Sequence, residues 1–120
     1  MILTETEISE VIEKAKNAFP NFSNWEYNNE KNDEYLGFSL WGQFVLDPEN
    51  IMSKCFFVTL ETCDEKWRAY LTIGQHCSFW SSADMGDAYL LDTDNYDSVD
   101  EIILQLKKEM LKLFQAFSVI

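Results

Sequence analysis

A chain of 120 residues in which 47% are hydrophobic is long and apolar enough to bury a core as a single domain over residues 1–120, without metal or disulfide cross-links. Its 21 acidic and 9 basic side chains give a net charge of −12, which excludes nucleic acids and anionic membranes as expected partners, because both bind through many lysines and arginines. The charge favours a basic protein partner, although it would equally serve solubility alone.

The cysteines and the N-terminus predict a reduced, cytoplasmic protein. Cys55, Cys63 and Cys77 are odd in number and lack C-x-x-C spacing, so neither a secreted disulfide framework nor a zinc site is expected. The N-terminal residues lack the basic-then-apolar order of a signal peptide, and no apolar run approaches the 18 residues typical of a membrane span.

The first predicted element is an amphipathic helix over residues 4–19. Thr4 and Glu7 have the spacing of a capping box, in which each side chain bonds the backbone N–H of the other residue. Pro20 marks its end. The apolar residues that recur at helical spacing are Ile8, Val11, Ile12, Ala15 and Phe19.

Alternating apolar residues predict the first three strands. Residues 25–28 form a short strand candidate, and residues 35–46 alternate regularly, as expected of a strand with one buried face. Residues 53–61 carry apolar side chains on both faces, which indicates an interior position in a sheet.

Two further strands are predicted after them. Residues 67–73 form the first, and the pair Gly74 and Gln75 suits a two-residue hairpin turn that returns the chain through residues 76–80. Residues 88–91 form the last short strand.

The last element is a helix over residues 99–117, with Ser98 and Glu101 at capping-box spacing ahead of it. Its apolar stripe consists of Val99, Ile103, Leu106, Met110, Leu113 and Phe117, widened by Ile102, Leu111 and Phe114. The heptad pattern is too short for a typical coiled coil, so we expect the helix to lie across a sheet.

The order of elements predicts an α+β fold. The links between strands are too short for parallel crossovers. We therefore expect an antiparallel five- to six-stranded meander sheet, with the N-terminal and C-terminal helices packed on one face and the other face partly open.

The sequence predicts no catalytic or cofactor site. His76 is the only histidine, and on a strand its neighbour Cys77 would point to the opposite face. The four glycines are scattered, which excludes a phosphate-binding loop. We therefore expect a protein that is not an enzyme and holds neither metal nor cofactor.

An acidic stretch resembles a calcium loop only in part. Asp92, Asp94 and Asp100 have the spacing of the first, third and ninth loop positions. However, Asp97 replaces the required glycine and Ile103 replaces the closing glutamate. We expect the stretch to be a solvated acidic rim.

Aromatic and acidic side chains supply the candidate partner-binding surface. An antiparallel sheet face that is uncovered yet aromatic usually meets a partner. In the alternative arrangement the sheet curls and these rings form a second, minor core. The candidate residues are Trp41, Tyr70 and Trp80 on the sheet, with Asp84, Asp87, Asp92, Asp94 and Asp97 on the rim.

These features predict a small acidic, non-catalytic protein-binding module of the inhibitor, immunity, anti-defence or chaperone type. It would dock a basic protein, including one that handles nucleic acid. The alternative is a small-ligand-binding protein or minor enzyme with an aromatic pocket over the sheet. That pocket would be lined by Trp41, Trp67, Trp80 and Tyr70, with Arg68 or His76 as its polar anchor. The apolar C-terminus is also consistent with a homodimer.

Overall fold

The computed structural model describes residues 2–32, 36–75 and 88–118, which form two helices and a five-stranded sheet. The elements are α1 (Glu5–Ala18), β1 (Ser23–Asn32), β2 (Leu36–Val45), β3 (Lys54–Cys63), β4 (Lys66–Gln75), β5 (Ala88–Asp92) and α2 (Val99–Phe117). Each strand pairs antiparallel with its neighbours in sequence, in the order β1-β2-β3-β4-β5. The predicted meander and the interior position of β3 are confirmed.

The helices begin where the sequence predicts. The Thr4 hydroxyl accepts the Glu7 N–H at 3.2 Å, and the Glu7 carboxylate accepts the Thr4 N–H at 2.9 Å, which completes the capping box. Ser98 caps α2 by accepting the Glu101 N–H at 3.2 Å. The second box differs, because the Ser98 hydroxyl itself donates to the Glu101 carboxylate at 3.1 Å.

Both helices pack on one face of the sheet, and the main core lies between them and that face. Ala15 of α1 and Leu106 of α2 are fully buried in the same cluster as Leu40, Leu60 and Ala69 of the central strands. Period-two alternation places these strand residues on one face, which we call the helix face. None of the helices in the described segments has the length and apolarity of a membrane span.

Close packing fixes one glycine on the helix face. A Cβ atom at Gly42 would lie 2.6 Å from ring carbons of Trp25, closer than side-chain atoms can approach. The Trp25 indole is held there by its Nε1–H, which donates to the Phe22 carbonyl at 3.2 Å. Glycine is therefore required at position 42, where β2 packs against Trp25 of β1.

The hairpin turn predicted at Gly74 and Gln75 is wrong. Gly74 and Gln75 are not a turn, because they pair with Cys55 and Lys54 as the last residues of β4. The two-residue turn of the β3–β4 hairpin consists of Asp64 and Glu65, both with positive φ (51° and 64°), as a type I′ turn requires. The returning strand predicted over residues 76–80 lies outside the described residues.

The sheet face opposite the helices, here called the second face, is not open at its centre. Gln43, Cys55, Phe57 and Thr72 on this face are each at most 2% exposed. Trp41, Thr59 and Tyr70 are half-buried. The expectation of a partly open face is therefore wrong for the middle of the sheet, where the packing is that of a second, minor core.

The apolar stripe of α2 is buried only over its first part. The side chains from Val99 to Met110 that face the sheet are buried, and Leu113 is half-buried. Phe117, predicted to lie in the buried stripe, is exposed. An open groove lined by Met110, Leu111 and Phe114 lies beside the last turns of α2.

Candidate functional site

The register of the strands brings three of the predicted site residues into one row across the second face. Trp41 pairs with Thr59, Thr59 with Tyr70, and Tyr70 with Asp92. Adjacent strands lie about 4.8 Å apart, so Trp41 and Tyr70 are separated by one strand and about 10 Å. Sequence reasoning found the residue types but not this alignment, which depends on where the turns fall.

A buried carboxylate, not predicted from the sequence, organises one end of this face. Glu61 is 6% exposed, and its Oε1 accepts a hydrogen bond of 2.5 Å from Nε of Arg68 and forms an ion pair of 2.5 Å with Nη2 of the same side chain. Its Oε2 accepts the Tyr70 hydroxyl at 2.9 Å. Both oxygens are thus satisfied, as burial of a charge requires. The available signal was that Glu61 and Arg68 are equally distant from the Asp64–Glu65 turn, which makes them a cross-strand pair.

This network shifts the proton equilibria of its members. Burial raises the pKa of the Tyr70 phenol, and the negative charge of Glu61 and its hydrogen bond to the phenol raise it further. Burial alone would lower the pKa of Arg68, but the adjacent Glu61 carboxylate more than offsets this and raises it. Tyr70 is therefore a neutral hydrogen-bond donor and Arg68 a cation under all ordinary conditions.

The raised pKa of Tyr70 predicts a loss of stability at alkaline pH. The unfolded chain releases a tyrosine proton near pH 10, whereas the folded chain retains the proton of Tyr70. The stabilisation that the protonated Tyr70 phenol gives to the folded chain is therefore complete below about pH 10 and is lost as the pH rises above it. Above pH 10 we expect the free energy of unfolding to fall more steeply in the wild type than in Tyr70→Phe. The difference between the two slopes should be at most about 1.4 kcal/mol per pH unit. Urea unfolding between pH 8 and 11 measures this difference.

The matched control is Tyr27→Phe, which changes an exposed tyrosine on β1, outside the Glu61 network. Its stability should follow the wild-type pH profile. Parallel profiles for the wild type and Tyr70→Phe would contradict the assignment of a raised pKa to Tyr70.

An open cleft of about 330 Å³ adjoins the network, between β4 and the segment that follows β5. Tyr89 is 67% exposed, and its ring meets that of Tyr70 edge-on at a centroid distance of 5.1 Å. We call this feature the acidic cleft. Its lining residues are Arg68, Tyr70, Tyr89, Asp92, Thr93, Asp94 and Asn95.

Thr93 fixes the two aspartates of the acidic cleft. Its backbone N–H donates to the Ala69 carbonyl at 2.9 Å, and its hydroxyl accepts the Ala69 N–H at 3.0 Å. Asp92 and Asp94, on either side of it, are exposed, and within the described ranges no lysine or arginine forms an ion pair with either. The cleft therefore presents two uncompensated carboxylates on an anchored backbone.

The other predicted site residues lie elsewhere. Asp97 does not line the acidic cleft. Its carboxylate forms an ion pair with Lys66 and accepts a hydrogen bond from the Lys66 ammonium group. This hydrogen bond raises the pKa of Lys66. Trp80, Asp84 and Asp87 lie outside the described residues, as does His76, the other anchor of the alternative pocket. Their part in a partner surface stays a prediction.

The aromatic pocket of the alternative function does not form as expected. Trp67 is buried in the main core on the helix face, whereas Trp41 and Tyr70 lie on the second face, so one pocket cannot include all three. The indole Nε1 of Trp41 is buried and finds no acceptor among the described residues.

Metal chemistry has no support in the described segments, where no three His, Cys, Asp or Glu side chains lie close enough together to hold an ion. Asp100, which the sequence placed with Asp92 and Asp94, instead forms an ion pair with Lys14 of α1 at 3.0 Å.

Fold and site together define a small α+β protein with an antiparallel meander sheet, two helices on one face and an acidic, aromatic cleft at the other. The chain matches no protein-family model, no curated protein and no solved structure.

Proposed function

We propose that the chain is a non-catalytic protein-binding module whose acidic cleft docks a basic side chain of a partner protein. The observation that carries the proposal is the pair of uncompensated carboxylates, Asp92 and Asp94, beside the exposed ring of Tyr89. Carboxylates attract a lysine or arginine head group, and an aromatic ring adds a cation–π contact.

The buried network supports the cleft as a pre-formed surface. The Glu61 carboxylate is neutralised by Arg68 and bonded by Tyr70, which holds the Tyr70 ring against Tyr89. Fixed aromatic side chains lose little conformational freedom on binding. The net charge of −12 would steer a basic partner towards this surface.

The kind of partner follows from the same charges. The carboxylates of the acidic cleft could occupy a surface of the basic partner that otherwise binds phosphate groups. We therefore propose an inhibitor, an immunity or anti-defence protein, or a chaperone. The three cysteines are odd in number and lack C-x-x-C spacing, which supports action in the cytoplasm. The small-ligand alternative has weaker support, because Trp67 lies on the opposite face from the cleft.

A titration with an arginine-rich peptide carrying a fluorescent label tests the proposal. We expect Asp92→Asn/Asp94→Asn to weaken binding about tenfold, since two direct charge contacts are lost. The matched control is Glu10→Gln/Glu13→Gln on α1, which removes the same charge from exposed positions and should weaken binding less than about twofold. Equal losses in the two variants would show attraction by net charge alone and would contradict the proposal.

A further inference from the structure

An apolar depression lies on the side of the sheet away from the acidic cleft. It is an open groove of about 380 Å³ between the end of α1, the second half of α2 and the sheet. We call it the helix groove. Its lining residues are Ala18, Phe19, Pro20, Asn21, Phe22, Phe44, Phe56, Leu71, Lys107, Met110, Leu111 and Phe114.

Large apolar side chains at the helix groove are accessible to solvent. Leu111 and Phe114 of α2 are 60% and 51% exposed, and Phe44 of β2 is also exposed. Leu104 and Phe117 continue the exposed apolar surface along α2. Single exposed apolar residues are normal, but a contiguous set around a concave groove marks an interaction site.

The charge at the helix groove is opposite to that of the chain as a whole. Of the described residues that line it, only Lys107 is charged. The α2 segment from 104 to 118 holds three lysines, Lys107, Lys108 and Lys112, and one glutamate, Glu109, a net charge of +2 in a chain of net charge −12. The groove is thus apolar with a basic margin.

We infer that the helix groove docks an amphipathic helix of a partner protein, with an apolar stripe in the groove and acidic residues on its flank. Amphipathic helices bind such grooves through apolar anchors one turn apart, and Lys107 and Lys108 would face the acidic flank. A second copy of this chain fits less well, because a two-fold symmetric contact would bring the same lysines of both copies together. An anionic membrane is disfavoured by the net charge of the whole chain.

This inference does not rest on the proposed function. The helix groove and the acidic cleft lie on opposite faces of the sheet and favour ligands of opposite charge. A chain with both sites would join a basic partner on one face to an acidic helix on the other.

The test uses two fluorescein-labelled synthetic helices with leucines at i, i+3, i+4 and i+7. One carries glutamates on its flanks, and the other carries glutamines at the same positions. We expect the intact chain to bind the glutamate helix more tightly, although its net charge of −12 would by itself favour the neutral one. Leu111→Ser/Phe114→Ser should weaken binding at least about tenfold, and Lys107→Glu/Lys108→Glu should reverse the preference.

The matched control is Ile51→Ser/Met52→Ser, which removes two exposed apolar residues from the turn between β2 and β3 and should leave binding unchanged. Far-UV circular dichroism confirms that each variant is folded. The inference would be overturned if neither helix bound or if Leu111→Ser/Phe114→Ser bound like the wild type. It would equally be overturned if sedimentation showed a dimer that this variant abolishes, since a second copy would then occupy the groove.

Discussion

Replacing Phe38 by alanine should lower the free energy of unfolding by about 3–5 kcal/mol, the cost of removing a large buried ring. Phe38 is 1% exposed and lies between two other rings, Tyr27 and Trp67, each at a centroid distance of 6.0 Å. Its backbone is also fixed, because its N–H donates to the buried Thr62 hydroxyl at 3.0 Å. Because Trp67 is itself buried in the main core, the variant should leave a cavity that collapses only in part.

Urea or thermal unfolding measures the effect, with a fall in melting temperature of about 10–20 °C for a chain of this size. The matched control is Phe117→Ala, which removes the same ring from an exposed position at the end of α2 and should change stability by about 0.5 kcal/mol or less. Similar losses in the two variants would contradict the placement of the main core.

Replacing Glu61 by alanine should lower the free energy of unfolding by about 2–3 kcal/mol. Breaking a fully buried ion pair costs about 3–5 kcal/mol, but the Arg68 side chain is 42% exposed and can turn to water. Tyr70 would lose the acceptor of its hydroxyl in a half-buried position, and a cavity would remain. These last two effects account for most of the expected loss.

Two further variants separate charge from packing at this position. Glu61→Gln keeps an acceptor for Tyr70 and a similar volume, so we expect a loss of only about 1 kcal/mol. Glu13→Ala removes an exposed carboxylate from α1 and should have little effect on stability. If Glu61→Ala were as stable as Glu13→Ala, the Glu61 network would not hold the second face together.

The elements that could be predicted are those whose signals are local. The capping residues Thr4 and Ser98 fix the starts of both helices, and strict alternation identifies β2. The strand β1 was predicted too short, since its observed range Ser23–Asn32 contains mostly asparagine and charged residues, which have low strand propensity. It is a strand because it pairs with β2 and because Asn29 bonds the backbone of Leu3.

The acidic cleft was only partly predictable, because its parts meet through register. The acidic residues Asp92 and Asp94 stood out by composition. Their juxtaposition with Tyr89 depends on the pairing of β4 with β5, which includes a register shift. Glu61 was missed because its partner Arg68 can be identified only once the turn at Asp64 and Glu65 is known.

The exposure of α2 could not be predicted from periodicity. The apolar stripe gives the direction in which a helix is buried, but not how far the elements beneath it extend. Leu111 and Phe114 therefore look like core residues in the sequence, whereas in the structure they border the helix groove.

Nuclear magnetic resonance mapping of the arginine-rich peptide on the ¹⁵N-labelled chain is the most direct test of a docking site beside Tyr89. If the acidic cleft binds the basic ligand, the amide signals of residues 68–70 and 89–95 should shift saturably and with one common affinity. Amide signals that shift equally along the acidic helix α1, with no preference for the acidic cleft, would contradict docking at the cleft.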